Sequence, residues 1–324
     1  MVQMYHVLHF KLRRRFQMRK MILNAVLFLM VPVLVSCMGQ PAIKDDYNST
    51  VRTGGPIEAK YIAGGEYNVA YKELKSLQDF DMFEIYYPSV MDKGSLEWPV
   101  VIFSNGTGVK ASTYASLLSH LASWGFIVMG TEEKNSWNGF SSEMCLRLIM
   151  KLNETETVEG WDDNPFYGHV DTSRIGVSGH SQGGVGVINA ATENKNGDKV
   201  KAIFSASPTN MELAEGLMWD YDPGLVTCPI FLVSSTGSAD EDLVVSGSQL
   251  DEIYDALPDT ITKIKARRND ANHGDMLSYS DGYMTAWFMW QLCGDNEASK
   301  AFVGEGAEII TNSLYQDQRI NIVE

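Results

Sequence analysis

Gly179-His180-Ser181-Gln182-Gly183 sets a serine midway between two glycines. The apolar run just before it, 174–178, reads as a strand, and 181–192 reads as a helix. A chain that passes from strand to helix in so few residues turns sharply. Such a turn needs small neighbours and lifts the serine hydroxyl above the sheet. There Ser181 stands at the positive end of the following helix. A serine hydroxyl is a weak nucleophile until a base takes its proton. The histidines are His6, His9, His120, His169, His180 and His273. Only His273, in Asn272-His273-Gly274-Asp275, lies beyond both the serine and a later strand. His180 falls inside the turn and is expected to face the scaffold. His120 is expected on a helix near the surface, and His169 in a loop.

A base of this kind needs an acid to orient it and to stabilise its imidazolium form. The acid belongs after the strand 229–234, where Asp240 and Asp242 both stand at strand-end distance. Asp240 is the better placed of the two. An oxyanion hole needs two backbone N–H groups. One comes from the residue after the serine, Gln182. The other comes from the loop after the strand 99–104, Asn105-Gly106-Thr107-Gly108, where Thr107 is the expected donor.

These residues need a frame. Short apolar runs at 83–87, 99–104, 125–129, 174–178, 200–206, 229–234 and 260–266 read as strands. The run 99–104 is apolar throughout, as suits a strand buried on both faces. Segments 113–124, 141–152, 181–192, 249–256 and 282–293 carry apolar residues at helical spacing. Strands alternating with helices predict a mostly parallel central sheet covered by helices on both faces, an α/β fold. Edge strands are expected from the segment before residue 80. The pattern shows neither an internal repeat nor a second domain boundary.

The chain has 324 residues, 44% of them hydrophobic, and a net charge of −15. All six basic residues of the first 36 lie between Lys11 and Lys20, with no acid among them, so the remainder carries −21. A field of that sign repels phosphate backbones and excludes nucleic acid as a partner. It also disfavours docking on anionic lipid through a basic face.

The basic stretch precedes an apolar run, 21–35, that is short of the ~20 residues a spanning helix needs. The combination reads as a secretory signal peptide over 1–36. The run ends Leu34-Val35-Ser36-Cys37, which resembles the lipobox of bacterial lipoproteins and makes Cys37 the expected lipidation site. Met18 offers an alternative start. Residues 37–53 are polar and patternless and read as a tether, leaving 54–324 as one catalytic domain. Cys145, Cys228 and Cys293 remain, without zinc-site spacing, and are expected as buried free thiols; any pairing among them is left open.

Pro99-Val100-Val101-Ile102-Phe103-Ser104-Asn105-Gly106-Thr107-Gly108, Leu121-Ala122-Ser123-Trp124-Gly125-Phe126-Ile127-Val128 and the stretch from Tyr167 to Gly184 resemble bacterial cutinases and polyester (PET) hydrolases. That is a branch of the α/β-hydrolase superfamily near the dienelactone hydrolases. The resemblance runs from about residue 65 to about residue 290. It implies the α/β-hydrolase fold and serine esterase chemistry through an acyl-enzyme, with no cofactor and no metal. It also implies Ser181, Asp240 and His273 as triad, and Thr107 and Gln182 as oxyanion donors. The chain departs from the family at Gln182, where a Met is common, and at Thr107, where an aromatic is common. It departs again at Ser207-Pro208-Thr209, where a Trp is common, and in lacking a cysteine beyond Cys293. Thr107, Gln182 and Ser207 then imply a smaller, more polar wall and short acyl groups. Trp137 and Trp161 are the residues that could rebuild the wall. The expected protein is an exported, membrane-anchored esterase acting on short-chain or polymer-linked esters, with no protein partner. An acetyl or feruloyl polysaccharide esterase is the alternative, and a non-catalytic binding lipoprotein a more distant one.

Overall fold

The computed structural model describes residues 42–76 and 81–323. The expected signal peptide and Cys37 lie outside the described residues.

In chain order the elements are α1 (Tyr47–Thr50), α2 (Pro56–Ile62), β1 (Val69–Lys75), β2 (Met82–Pro88), β3 (Trp98–Ser104), α3 (Ala115–Ser123) and β4 (Ile127–Thr131). Next come α4 (Phe140–Glu154), β5 (Val170–His180), α5 (Gln182–Thr192), β6 (Val200–Ala206), α6 (Met211–Leu217) and β7 (Ile230–Ser235). The chain closes with α7 (Gly247–Ala256), β8 (Lys263–Arg268), α8 (Met276–Cys293), α9 (Asn296–Ser299), α10 (Glu308–Thr311) and β9 (Tyr315–Asn321).

The strands form a single sheet in the order β1-β2-β4-β3-β5-β6-β7-β8-β9. Pairings from β4 through β8 are parallel, and β1, β2 and β9 add antiparallel edges. Successive side chains along a strand face opposite ways, so the apolar runs feed two cores. Val101, Phe103, Val128, Phe204 and Phe231 pack with α3 and α8 on one face. Val100, Ile102, Ile175, Val177, Ile203 and Leu232 pack with α4, α5 and α7 on the other.

Helix α8 begins six residues earlier than its sequence pattern indicates. It is buried nearly all round, from Met276 through Phe288, so no polar face marks its start. Its entry is fixed instead by a reciprocal cap between Asn272 and Asp275. Strand β9 gave no signal because an edge strand rich in Gln, Asp, Arg and Asn has no apolar alternation.

The tether expected over 37–53 is corrected from Ile43 onward, where the chain is docked on the body. The Ile43 N–H donates to the Thr113 carbonyl at 3.2 Å, and the Ser116 hydroxyl donates to the Ile43 carbonyl at 3.0 Å. Tyr47 is buried and donates its hydroxyl to Asp281 at 2.5 Å. Cys145 and Cys228 are buried free thiols as expected, whereas Cys293, also free, is exposed. Among the described residues no helix is long and apolar enough to cross a membrane.

Candidate active site

β5 ends at His180 and α5 begins at Gln182, so Ser181 alone makes the turn. Its backbone sits at φ 59, ψ −119, a region that L-residues adopt at a cost. The surroundings hold it there. The Ser181 N–H donates to the Ala206 carbonyl of β6 at 2.9 Å. The flanking glycines are sterically required: a Cβ at Gly179 would stand 2.2 Å from the Gly183 carbonyl oxygen, and one at Gly183 would stand 2.1 Å from that of Ser104.

His273 follows β8, at the same C-terminal edge of the sheet. Its Nδ1 lies 2.6 Å from Asp240 Oδ1. Asp240 opens a single π-helical turn, Asp240–Val244, after β7 and is fully buried. Its other oxygen accepts from the Ser207 hydroxyl and from the Ser235 N–H, each at 2.7 Å. Burial pushes the Asp240 carboxyl up, but His273 and the Ser207 and Ser235 donors outweigh it, so it lies below the ordinary carboxylate range. Asp242, one of the two acids the sequence offers, is exposed to solvent.

His180 is buried, as expected of a turn residue, but it also supports His273. Its Nε2 donates to the His273 carbonyl at 2.8 Å, and the two rings lie 4.4 Å apart. Burial, with the neighbouring His273 ring, drops its pKa to about 3, so it stays neutral.

Thr107 and Gln182 face the same end of the sheet from two elements. Among the described residues neither backbone N–H has an acceptor. Gln182 opens α5, where the first N–H groups have no partner inside the helix.

Two side chains do not lie where the sequence suggested. Gln182 turns into the scaffold, its Oε1 accepting from the Ser136 N–H at 2.9 Å. Ser207 is fully buried against Asp240. Neither forms a polar wall; of the three residues expected there only Thr107 remains. The Ser207 bond is a feature the sequence analysis missed; in sequence it shows only as a serine directly after a strand. Its strained backbone (φ 43) and its 2.6 Å bond to the Val233 carbonyl fix its position.

Trp161 lies against the edge strand β1, four strands from β5 in the sheet, where its Nε1 donates to the Glu73 carbonyl at 3.2 Å. It cannot rebuild a wall near Ser181. Trp137 follows β4 at the site's own end. It lines a cleft of about 440 Å³ along α5, together with Asn138, Asn189 and Tyr221. His120, expected near the surface, is buried against Asp281 at 2.7 Å and takes no part in the site. His169 lies in a loop, as expected.

A family model described as PET hydrolase-like matches residues 45–276. The bis(hydroxyethyl) terephthalate hydrolase of Streptomyces coelicolor is 26% identical to this chain over 257 residues, covering 78% of this chain and 75% of that protein.

Proposed function

The chain belongs to the PET hydrolase-like family of α/β-hydrolases, and within it we propose that Ser181, His273 and Asp240 form the catalytic triad of this serine esterase. The observation that carries the proposal is the 2.6 Å bond from His273 Nδ1 to a buried, triply hydrogen-bonded Asp240 beside the Ser181 turn. An Nδ1–H given to Asp240 leaves Nε2 as the basic nitrogen.

Ser181 Oγ attacks the ester carbonyl while His273 Nε2 takes its proton. The tetrahedral oxyanion is met by the Thr107 and Gln182 N–H groups. As the intermediate collapses, His273 returns the proton to the leaving alcohol. A water, deprotonated by His273, then attacks the acyl-enzyme and releases the acid and free Ser181. None of these steps calls for a cofactor.

Short-chain or polymer-linked esters are the proposed substrates. The Streptomyces relative is named for a soluble aromatic diester, which makes that compound a direct probe. The test is a panel: p-nitrophenyl acetate to palmitate, bis(hydroxyethyl) terephthalate, acetylated xylan and methyl ferulate. Turnover of the acetate, butyrate or terephthalate ester supports the reading, whereas turnover of acetylated xylan or methyl ferulate alone moves it to a polysaccharide esterase. A fluorophosphonate probe should label the wild type stoichiometrically and leave Ser181→Ala unlabelled; equal labelling of both sinks the nucleophile assignment.

The proposed setting is outside the cytoplasm, on a lipid anchor at Cys37 after removal of 1–36. Incorporation of labelled palmitate by the wild type and not by Cys37→Ala is the outcome that supports it.

A further inference from the structure

The two oxyanion donors come from elements that are not joined in sequence. Thr107 belongs to the loop after β3, and Gln182 to the first turn of α5. Stabilising a developing oxyanion depends on donors already held at the right spacing. Something must set that spacing.

Steric contact supplies one part. Gly183 packs directly on the end of β3, close enough that a Cβ there would stand 2.6 Å from the Asn105 carbonyl oxygen. Contact of that kind limits approach but gives no direction. Direction comes from hydrogen bonds, and these converge on the loop after β4. Asn105 Nδ2 donates to the Thr131 and Glu133 carbonyls at 2.6 and 2.7 Å. On the far side of Thr107, the Gly108 N–H donates to the Lys134 carbonyl at 3.0 Å. Thr107 is therefore held from both sides by the 131–134 segment.

Ser136, on the same loop and fully buried, bonds to both halves. Its hydroxyl donates to the Asn105 carbonyl at 2.5 Å. Its N–H donates to Gln182 Oε1 at 2.9 Å. Its own carbonyl lies against α5, where a Cβ on Gly186 would stand 2.2 Å away. The Gln182 side chain thus works alongside its own backbone N–H: its amide oxygen accepts from Ser136, where an aliphatic side chain could not and a Met sulfur would accept only weakly.

We propose that Ser136 is a positioning residue for ester hydrolysis, fixing the spacing of the Thr107 and Gln182 N–H groups by tying both of their elements to the loop after β4. The proposal rests on the reading of Ser181, Thr107 and Gln182 given above. Ser136 itself touches no reacting atom.

The test compares wild type, Ser136→Ala, Gln182→Met and the double variant in kcat and KM on p-nitrophenyl acetate, in inhibition by phenylboronic acid and in Tm. The boronate forms a tetrahedral adduct with an activated serine and so reports the oxyanion geometry. Loss of a whole oxyanion donor costs about 10²–10³ in kcat. A displaced donor should cost less, about 10-fold to 100-fold, with KM within about twofold of wild type. The boronate Ki should rise by the same factor as kcat/KM falls. Both substitutions cut the same bridge, so the double variant should be little worse than the poorer single one. Folded Ser136→Ala and Gln182→Met proteins whose kcat and boronate Ki stay within twofold of wild type overturn the proposal. If Ser136→Ala does not fold, Gln182→Met decides by the same readings. A Ser181→Ala variant that retains the wild-type rate, or a wild type that does not bind the boronate, overturns the site reading itself and this inference with it.

Discussion

Among the described residues stand two buried histidine–carboxylate pairs, and only one of them lies at the candidate site. His273 Nδ1 lies 2.6 Å from Asp240, and His120 Nδ1 lies 2.7 Å from Asp281. By distance and burial they are alike, but only the His273–Asp240 contact is aligned as a hydrogen bond. They differ in what else each member meets. The second nitrogen of His120 lies 2.8 Å from the Ala63 carbonyl, so its ring is held between two acceptors. That environment favours the imidazolium: burial works against it, but Asp281 and the carbonyls of Ala63 and Ile62 outweigh burial and raise the His120 pKa. Asp281 also accepts from the Tyr47 hydroxyl, so the pair pins α1 to α3 and α8. Among the described residues Asp240, by contrast, binds His273 and two uncharged donors, and His273 sits on a loop at the sheet edge that carries Ser181. A buried histidine–carboxylate pair is a staple when both ring nitrogens face acceptors of the scaffold. In the triad proposed above the same kind of pair serves as a proton relay.

The largest expected effect separates the two pairs by rate. Asp240→Asn should keep the fold and lower kcat by about 10³–10⁴, since the wrong histidine tautomer is then held. Asp281→Asn should leave kcat of the folded protein within about twofold. Asp242→Asn, an exposed change, should cost less than tenfold. The measurement is kcat on one soluble ester, with circular dichroism to confirm folding. A crippled Asp281→Asn with an intact Asp240→Asn would reverse the comparison.

The site was legible where its signals are local. The strand, serine and helix at 174–192 are consecutive, and the glycines that the turn requires stand beside Ser181. His273 followed from chain order alone. The sequence favoured Asp240 over Asp242, but what separates their environments, the Ser207 hydroxyl after β6 and the Ser235 N–H at the end of β7, is visible only in three dimensions. The sheet was legible because fully buried parallel strands are apolar runs. β9 and the docking of residues 43–50 were not, because each rests on a few side chains in a polar stretch: Tyr315 in one, Ile43 and Tyr47 in the other. His120 looked like a surface histidine because its partner lies 161 positions away in the chain.

The second effect sharpens the staple reading through stability. Removing one member of a buried pair leaves the other charge uncompensated and costs about 3–5 kcal/mol. For a domain of this size each kcal/mol is roughly 2–4 °C in Tm, so Asp281→Asn should lower Tm by on the order of 10 °C. Tyr47→Phe removes one hydroxyl donor to the same carboxylate and should cost about 1–2 kcal/mol. Thermal unfolding followed by circular dichroism gives both numbers. An unchanged Tm in both variants would leave the pair without a structural role.

The smallest effect is the pH dependence of stability, in which the sign distinguishes His120 from His180. The folded pKa of His120 is raised above the unfolded value of ~6.5. Its native state therefore holds a proton that the unfolded chain releases first. The stability it contributes is complete below about pH 6.5 and is lost as pH rises through the folded pKa. His180 runs the other way. Its folded pKa is pushed down to about 3, so its contribution is present above about pH 6.5 and is lost as pH falls towards 3. Two difference curves of Tm against pH test this: wild type minus His120→Gln, and wild type minus His180→Gln. The first should shrink on the alkaline side and the second on the acid side. Asp281 and Tyr47 are the ionisable groups facing His120. Tyr47 is pushed well above its ordinary range by burial and by Asp281, so it stays neutral throughout the window. The His120 curve therefore reports the exchange between His120 and Asp281. If that curve is flat from pH 6 to 9, His120 is neutral in the folded protein and its contact with Asp281 is not an ion pair. The contrast with His273 would then rest on position in the fold and not on charge.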